Sequence, residues 1–180
     1  MLRGLAGFVI GVIATLAALA GGGYLIVANG VIPAAANGRP IPLERWAART
    51  SMRATLQAQA PEGPNPVELT DANLIAGINL YARHCAVCHG TAKGKGAATP
   101  VAKGEYPAPP QLASAGVEDD PEGWDVWKIE NGIRWTGMPA WKGTLSVEDA
   151  WTIALFLKHM NKLPPAPEAV WQQVGTTPGQ

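Results

Sequence analysis

Cysteine is nearly absent from this sequence: of 180 residues only Cys85 and Cys88 carry a thiol. Two cysteines three positions apart are too few and too close for the disulfide framework of a small secreted domain. No second Cys-x-x-Cys pair exists, which excludes a four-ligand zinc site built on cysteine pairs. Charged residues make up 16% of the chain and sum to zero, so the total shows no nucleic-acid footprint and no nucleic-acid partner is expected. No segment alternates apolar and polar residues convincingly, so no strand is predicted. There is no phosphate-binding loop, nucleophile–base pair or paired catalytic carboxylate. An enzyme acting on a small-molecule substrate is therefore not expected.

What is present begins with an apolar run. Leu5 to Ala28 holds 24 uncharged residues, against the roughly 20 that span a bilayer as a helix. Residues 1–30 are read as a single-pass membrane anchor. The alternative is a cleaved signal peptide with Ala18-Leu19-Ala20 as its small-residue site, but Tyr24-Leu25-Ile26-Val27 continues the apolar run beyond it. Gly7, Gly11, Ala14, Ala18 and Gly22 form a small-residue stripe of the kind that lets membrane helices approach closely, although small residues are common in such spans.

The zero net charge conceals an asymmetry. Residues 1–60 carry five arginines and one glutamate, a net +4, and residues 61–180 carry a net −4. Three of those arginines, Arg45, Arg49 and Arg53, fall at four-residue spacing in a predicted helix over 42–59. An interfacial helix on anionic lipid and a solvated linker helix both fit, because Met52 and Leu56 fall on the arginine side. Pro61, Pro64 and Pro66 predict a stiff hinge closing a linker of residues 31–66.

Residues 67–165 read as one all-α domain of three main helices with long loops. The first starts at the N-cap Thr70 and runs to about His84, with Leu74, Ile78, Tyr81 and Cys85 at helical spacing. The second runs from Pro121 to just before Gly132, and the third from Ser146 to about Asn161. A long loop, 90–120, separates the first two. The acidic run Glu118 to Glu122 is read as a solvated cap of the second helix. Residues 166–180 read as a Pro-rich, extended tail.

Cys85-Ala86-Val87-Cys88-His89 is the attachment signature of a c-type haem. Two thiols at this spacing reach two neighbouring vinyl groups of one porphyrin, and the next residue presents an imidazole to the iron. A thioredoxin-like redox pair is the alternative, but it wants a preceding strand where this chain has a helix. For the opposite face, Met138 lies between Gly137 and Pro139 in an inter-helix loop that can bring its sulfur to iron. A merely hydrophobic loop residue is the other reading of Met138, and His84 and His159 are the other ligand candidates.

These residues resemble the small monohaem cytochromes c of the His/Met-ligated type. The resemblance rests on Gly77, Tyr81, Cys85 through Gly90, Pro110-Gln111-Leu112, Gly137 through Trp141, and Ala150-Trp151 with Ala154. It covers residues 70–162 and neither the anchor nor the arginine helix. It implies one covalently bound haem c with His89 and Met138 as iron ligands. It implies further that Gly77 lets the first and last helices cross closely beneath Trp151, that the Pro110 carbonyl accepts from His89 Nδ1, and that Leu112 packs on the ring. Arg134, Trp135 and Trp141 are candidates for the haem propionates or edge, or are ordinary loop packing.

A closed six-coordinate iron exchanges one electron with little rearrangement, so the resemblance implies an electron carrier with redox-protein partners. Covalent haem attachment takes place outside the cytoplasmic membrane. The chain is therefore expected in the inner membrane, N-terminus in and haem domain in the periplasm or outside, although Arg39, Arg45 and Arg49 run against the positive-inside rule. Lys93 and Lys95 are candidates for steering an acidic partner. Three roles stay open: a tethered shuttle swinging on the Pro61–Pro66 hinge, a fixed cytochrome subunit of a respiratory or dehydrogenase complex, and a haem enzyme or gas sensor with an open sixth site.

Overall fold

The computed structural model describes residues 2–94, 98–115 and 119–175. Among them every regular element is helical, down to the short α5 (Pro100–Gly104) and α6 (Leu112–Ala115) in the long loop. Two compact units result, residues 1–38 and residues 39–180. The first is α1, Leu2–Ala28, of which Gly4–Ala28 is long and apolar enough to cross a membrane. Its described side chains are exposed along the whole length.

The second unit is organised around α3 (Asp71–His84) and α8 (Val147–His159). Thr70 Oγ1 accepts from Asn73 N at 3.2 Å and starts α3, while Arg83 and His84 complement the dipole at its end. Ser146 and Asp149 form a reciprocal capping box at the start of α8. Leu74, Gly77, Ile78 and Tyr81 make one buried stripe on α3, facing the buried run Ala150–Leu157. Gly77 is required there: a Cβ would stand 2.5 Å from Thr152 O and 2.8 Å from Phe156 Cβ. The close approach thus falls not on Trp151 but on the next residue, Thr152, and on Phe156 one turn beyond it.

α7 (Glu122–Asn131) adds Val126 and Ile129 to this core. Residues 165–171, expected to be extended, instead form α9 (Pro165–Trp171). A proline in the first helical turn loses no needed hydrogen bond, so Pro165 and Pro167 start this helix and do not break it. Trp171 is 3% exposed and stacks edge-on against Tyr81 and Phe156, with ring centroids 5.5 and 5.0 Å away. Burying an indole there stabilises the tail's helical form far beyond its weak local propensity.

The linker from α2 onward is also tied down. α2 (Pro42–Gln59) buries Leu56 and half-buries Met52, the two residues that spoil its amphipathic pattern, and half-buries Thr55 as well. After α2, the Pro61 carbonyl packs on Gly123 in the space a side chain would need. Asn65 Nδ2 donates to Glu122 Oε1 at 2.7 Å and to Trp151 O at 3.0 Å. Pro61–Pro66 is therefore docked on the domain and does not form a free hinge. Arg45, Arg49 and Arg53 remain exposed.

Candidate haem site

Cys85 closes α3 by donating its N–H to Tyr81 O at 2.8 Å, and the chain continues directly into the single turn α4 (Ala86–His89). His89 N returns to Cys85 O at 2.9 Å, which puts the five motif residues on one compact coil. Gly90 ends the turn at φ +77°, and its carbonyl accepts from the buried Tyr81 hydroxyl at 2.9 Å. Burial pushes the Tyr81 phenol well above its ordinary pKa, keeping it a donor.

His89 Nδ1 lies 2.8 Å from Pro110 O. A carbonyl only accepts, so Nδ1 carries the proton and Nε2 keeps its lone pair for a metal. Burial lowers the His89 pKa, opposed by this same hydrogen bond, which favours a neutral imidazole. Gln111 fixes the loop by donating from Nε2 to Cys88 O at 2.9 Å. Its Oε1 sits against Gly90, where a Cβ would meet it at 2.6 Å.

Cys85, His89, Leu112 and Met138 open on one cavity of about 540 Å³, walled otherwise mostly by apolar groups such as Ile129 and Ile153. Pockets for flat organic cofactors are of this size and character. Both cysteines are free thiols. Burial pushes Cys85 up to about 12, with the neighbouring Cys88 adding to it. Burial, then the hydrogen bond to Glu105 at 3.2 Å, push Cys88 up to about 11. Neutral thiols beside an apolar cavity, one imidazole with a free Nε2 and one thioether fit the donor set that a covalently held haem requires.

Met138 is presented by a loop held through backbone bonds. Ile133 N donates to Met138 O at 3.2 Å, Met138 N to Thr136 Oγ1 at 3.1 Å, and Trp141 N to Ile129 O at 3.0 Å. Gly132 turns the chain out of α7 at φ +65° with Met138, Pro139 and Ala140 packed on its Cα. Of the other described methionines, Met52 is half-buried on α2 and lines a separate groove, and Met160 lies in the core. His84 packs edge-on against Trp141 at 5.0 Å, and His159 Nδ1 bonds Leu155 O at 2.9 Å. Neither lines the cavity.

Arg134 and Trp135 also stand outside the cavity, in a groove that faces α2. Trp135 is 88% exposed and has φ +62°, a backbone conformation that costs a bulky residue about 1–2 kcal/mol. Lys93 is exposed, whereas Lys95 lies outside the described residues, as does Glu118.

Glu105, Asp125 and Lys128, none of them singled out in the sequence, enter the site together with Asp120 of the acidic run. Glu105 reaches Cys88 and packs on Gly137. Lys128 Nζ lies 3.0 Å from both Asp120 and Asp125 in the cavity wall. Burial raises Asp125 against the pull of Lys128, and burial would lower Lys128 but the two carboxylates hold it above its ordinary value. Within the acidic run, then, Asp120 and Glu122 are engaged partners, not a solvated cap. The i, i+3 spacing of Asp125 and Lys128 was the one legible hint.

Residues 72–157 match the family described as cytochrome C oxidase, cbb3-type, subunit III. No curated protein matches the chain. The matched stretch holds the Cys85–His89 turn, Pro110, the Met138 loop and both crossing helices, and excludes α1, α2 and α9. An all-helical fold, the Cys85–His89 turn at a mostly apolar cavity and this match agree: the chain carries a c-type cytochrome domain and one candidate N-terminal membrane span.

Proposed function

We propose that the domain holds one covalently bound haem c and carries single electrons at the outer face of the inner membrane, with α1 as a single-pass anchor whose N-terminus lies inside. The observation that carries this reading is the shared cavity: Cys85, His89 with Nδ1 tied to Pro110, and Met138 all open on it. The S–H of Cys85 and of Cys88 would each add across one vinyl double bond, forming two thioethers without an oxidant. His89 Nε2 and Met138 Sδ are the proposed iron ligands, and Leu112 the proposed packing contact on the ring. The haem supplies reversible one-electron exchange; the chain supplies burial, ligation and access.

Between shuttle and subunit, two observations favour a fixed cytochrome subunit of a redox complex. The proposed swing point, Pro61–Pro66, is docked on α7 and α8. The matched family is described as an oxidase subunit. Redox proteins of that complex are the proposed partners, and lipid the proposed surrounding of α1. The test is denaturing electrophoresis with haem staining of the full chain purified from membranes. The account predicts stain that survives denaturation and co-purifying polypeptides under mild detergent. Stain lost from wild type on denaturation would overturn covalent attachment, and a lone species would return the role to a shuttle. An enzyme or sensor role follows instead if the reduced protein binds carbon monoxide readily.

A further inference from the structure

Trp135 is the least accounted-for residue in the domain. It is 88% exposed, and its φ of +62° is one that glycine or asparagine usually fills. It stands with Arg134 at the tip of a tight turn closed by Thr136 N to Ile133 O at 3.2 Å and Thr136 Oγ1 to Ile133 O at 2.7 Å. Among the described residues nothing covers the indole left in water, and no hydrogen bond of its own holds it there.

The turn borders a groove of about 890 Å³ whose other side is α2. Arg45, Arg49 and Arg134 line it. Its one acid, Glu44, already accepts from the Tyr106 hydroxyl at 2.8 Å. None of the three guanidinium groups has an ion-pair partner among the described residues. Pro107, Ile133 and Thr136 line both this groove and the cavity that Met138 opens on, so the two share a wall.

We propose that this groove is the electron-exchange face, where an acidic redox protein docks with Trp135 seated in an apolar socket and its carboxylates on Arg45, Arg49 and Arg134. The inference rests on the electron-carrier reading above and names its docking surface. Trp and Arg are the residues that most often dominate protein interfaces, and a ring of unpaired guanidinium groups selects a negatively charged partner. The shared wall keeps the bound partner close to the electron's site, which a patch elsewhere on the domain would not do. The feature is invisible to a local reading, because α2 and the turn lie about ninety residues apart in sequence.

The test uses full-length variants in their native membranes, following haem reduction and reoxidation. Trp135→Gly removes the indole and relieves the backbone, and Trp135→Asn does the same with a residue that accepts this conformation. Both are expected to melt no lower than wild type, to keep the oxidised sulfur–iron band, and to slow turnover at least tenfold. Arg45→Gln, Arg49→Gln and Arg134→Gln combined should slow electron exchange with hexacyanoferrate several-fold at low salt, converge with wild type at high salt, and not slow exchange with cationic hexaammineruthenium. Wild-type turnover in both Trp135 variants would overturn the proposal. So would loss of the sulfur–iron band, which would make Trp135 a support of the Met138 loop, or an equal effect on both small reagents. Wild type without bound haem would instead sink the carrier reading, and this proposal with it.

Discussion

Helices α3 and α8 meet through buried apolar side chains and one glycine, whereas the loop from Gly132 to Trp141 is held largely by backbone hydrogen bonds. The first region hides its contacts from water and gathers most of the aromatic burial. The second leaves Arg134, Trp135, Gly137, Pro139 and Ala140 exposed and presents the side chains of Ile133, Thr136 and Met138 to the cavity. Stability and ligand geometry therefore reside in different places. Damage to the helix crossing should unfold the domain, while damage to the loop should disturb the proposed Met138 ligation and leave the fold standing.

The largest effect is expected at Gly77. A Gly77→Val side chain would meet Thr152 O and Phe156 Cβ inside van der Waals distance, forcing α3 off α8. The loss should exceed about 4 kcal/mol, read as a collapse of the thermal midpoint. A variant within about 1 kcal/mol of wild type would break the distinction between rigid crossing and adjustable loop.

Trp171→Ala comes next, at about 3–5 kcal/mol for truncating a buried aromatic. Denaturant titration should show that loss while the folded protein keeps its sulfur–iron band, because Trp171 packs on Tyr81 and Phe156 and not on the cavity.

Gly132→Ala should reverse that pattern. Its φ of +65° and the backbone of Met138 to Ala140 against its Cα leave no room for a methyl group. The stability loss should be about 1–2 kcal/mol, yet the loop must shift, so the sulfur–iron band should weaken and carbon monoxide binding increase. An unchanged spectrum would show that the loop is as adjustable at Gly132 as at its exposed tip.

The smallest effect sharpens the stability side. Ser146→Ala removes the α8 cap and should cost about 1 kcal/mol, measured by denaturant midpoint. It also removes the hydroxyl donor, the larger of the two hydrogen bonds that hold Asp149 below the usual carboxylate range, and leaves the Ser146 backbone N–H in place. A carboxyl whose folded pKa lies below its unfolded value stabilises the fold above roughly pH 4 and ceases to as pH falls through the folded value. The wild type should lose more stability between pH 6 and pH 3 than Ser146→Ala does. Parallel pH profiles would contradict the capping role.

Much of the helix crossing is written locally. Thr70 and Ser146 mark helix starts by their side chains alone, and Leu74, Ile78 and Tyr81 mark a buried face by spacing. The Cys85–His89 motif is legible because its chemistry needs five consecutive residues. Met138 stands out by its Gly137 and Pro139 flanks. What was not legible depends on partners far away in the chain. Leu56 looks like a flaw in a basic helix until the folded domain buries it. Pro165 and Pro167 look like helix breakers until Trp171 finds the Tyr81–Phe156 pair. Glu105 and Gln111 have no neighbours in sequence that announce their hydrogen bonds to Cys88.

The most direct test of the central claim is the oxidised visible spectrum of full-length wild type beside Met138→Ala, followed by carbon monoxide added to the reduced proteins. The account predicts a weak near-red sulfur–iron band in wild type only, and ready carbon monoxide binding in the variant only. A wild type that lacks the band and binds carbon monoxide readily would contradict the His89/Met138 pair and the electron-carrier function built on it.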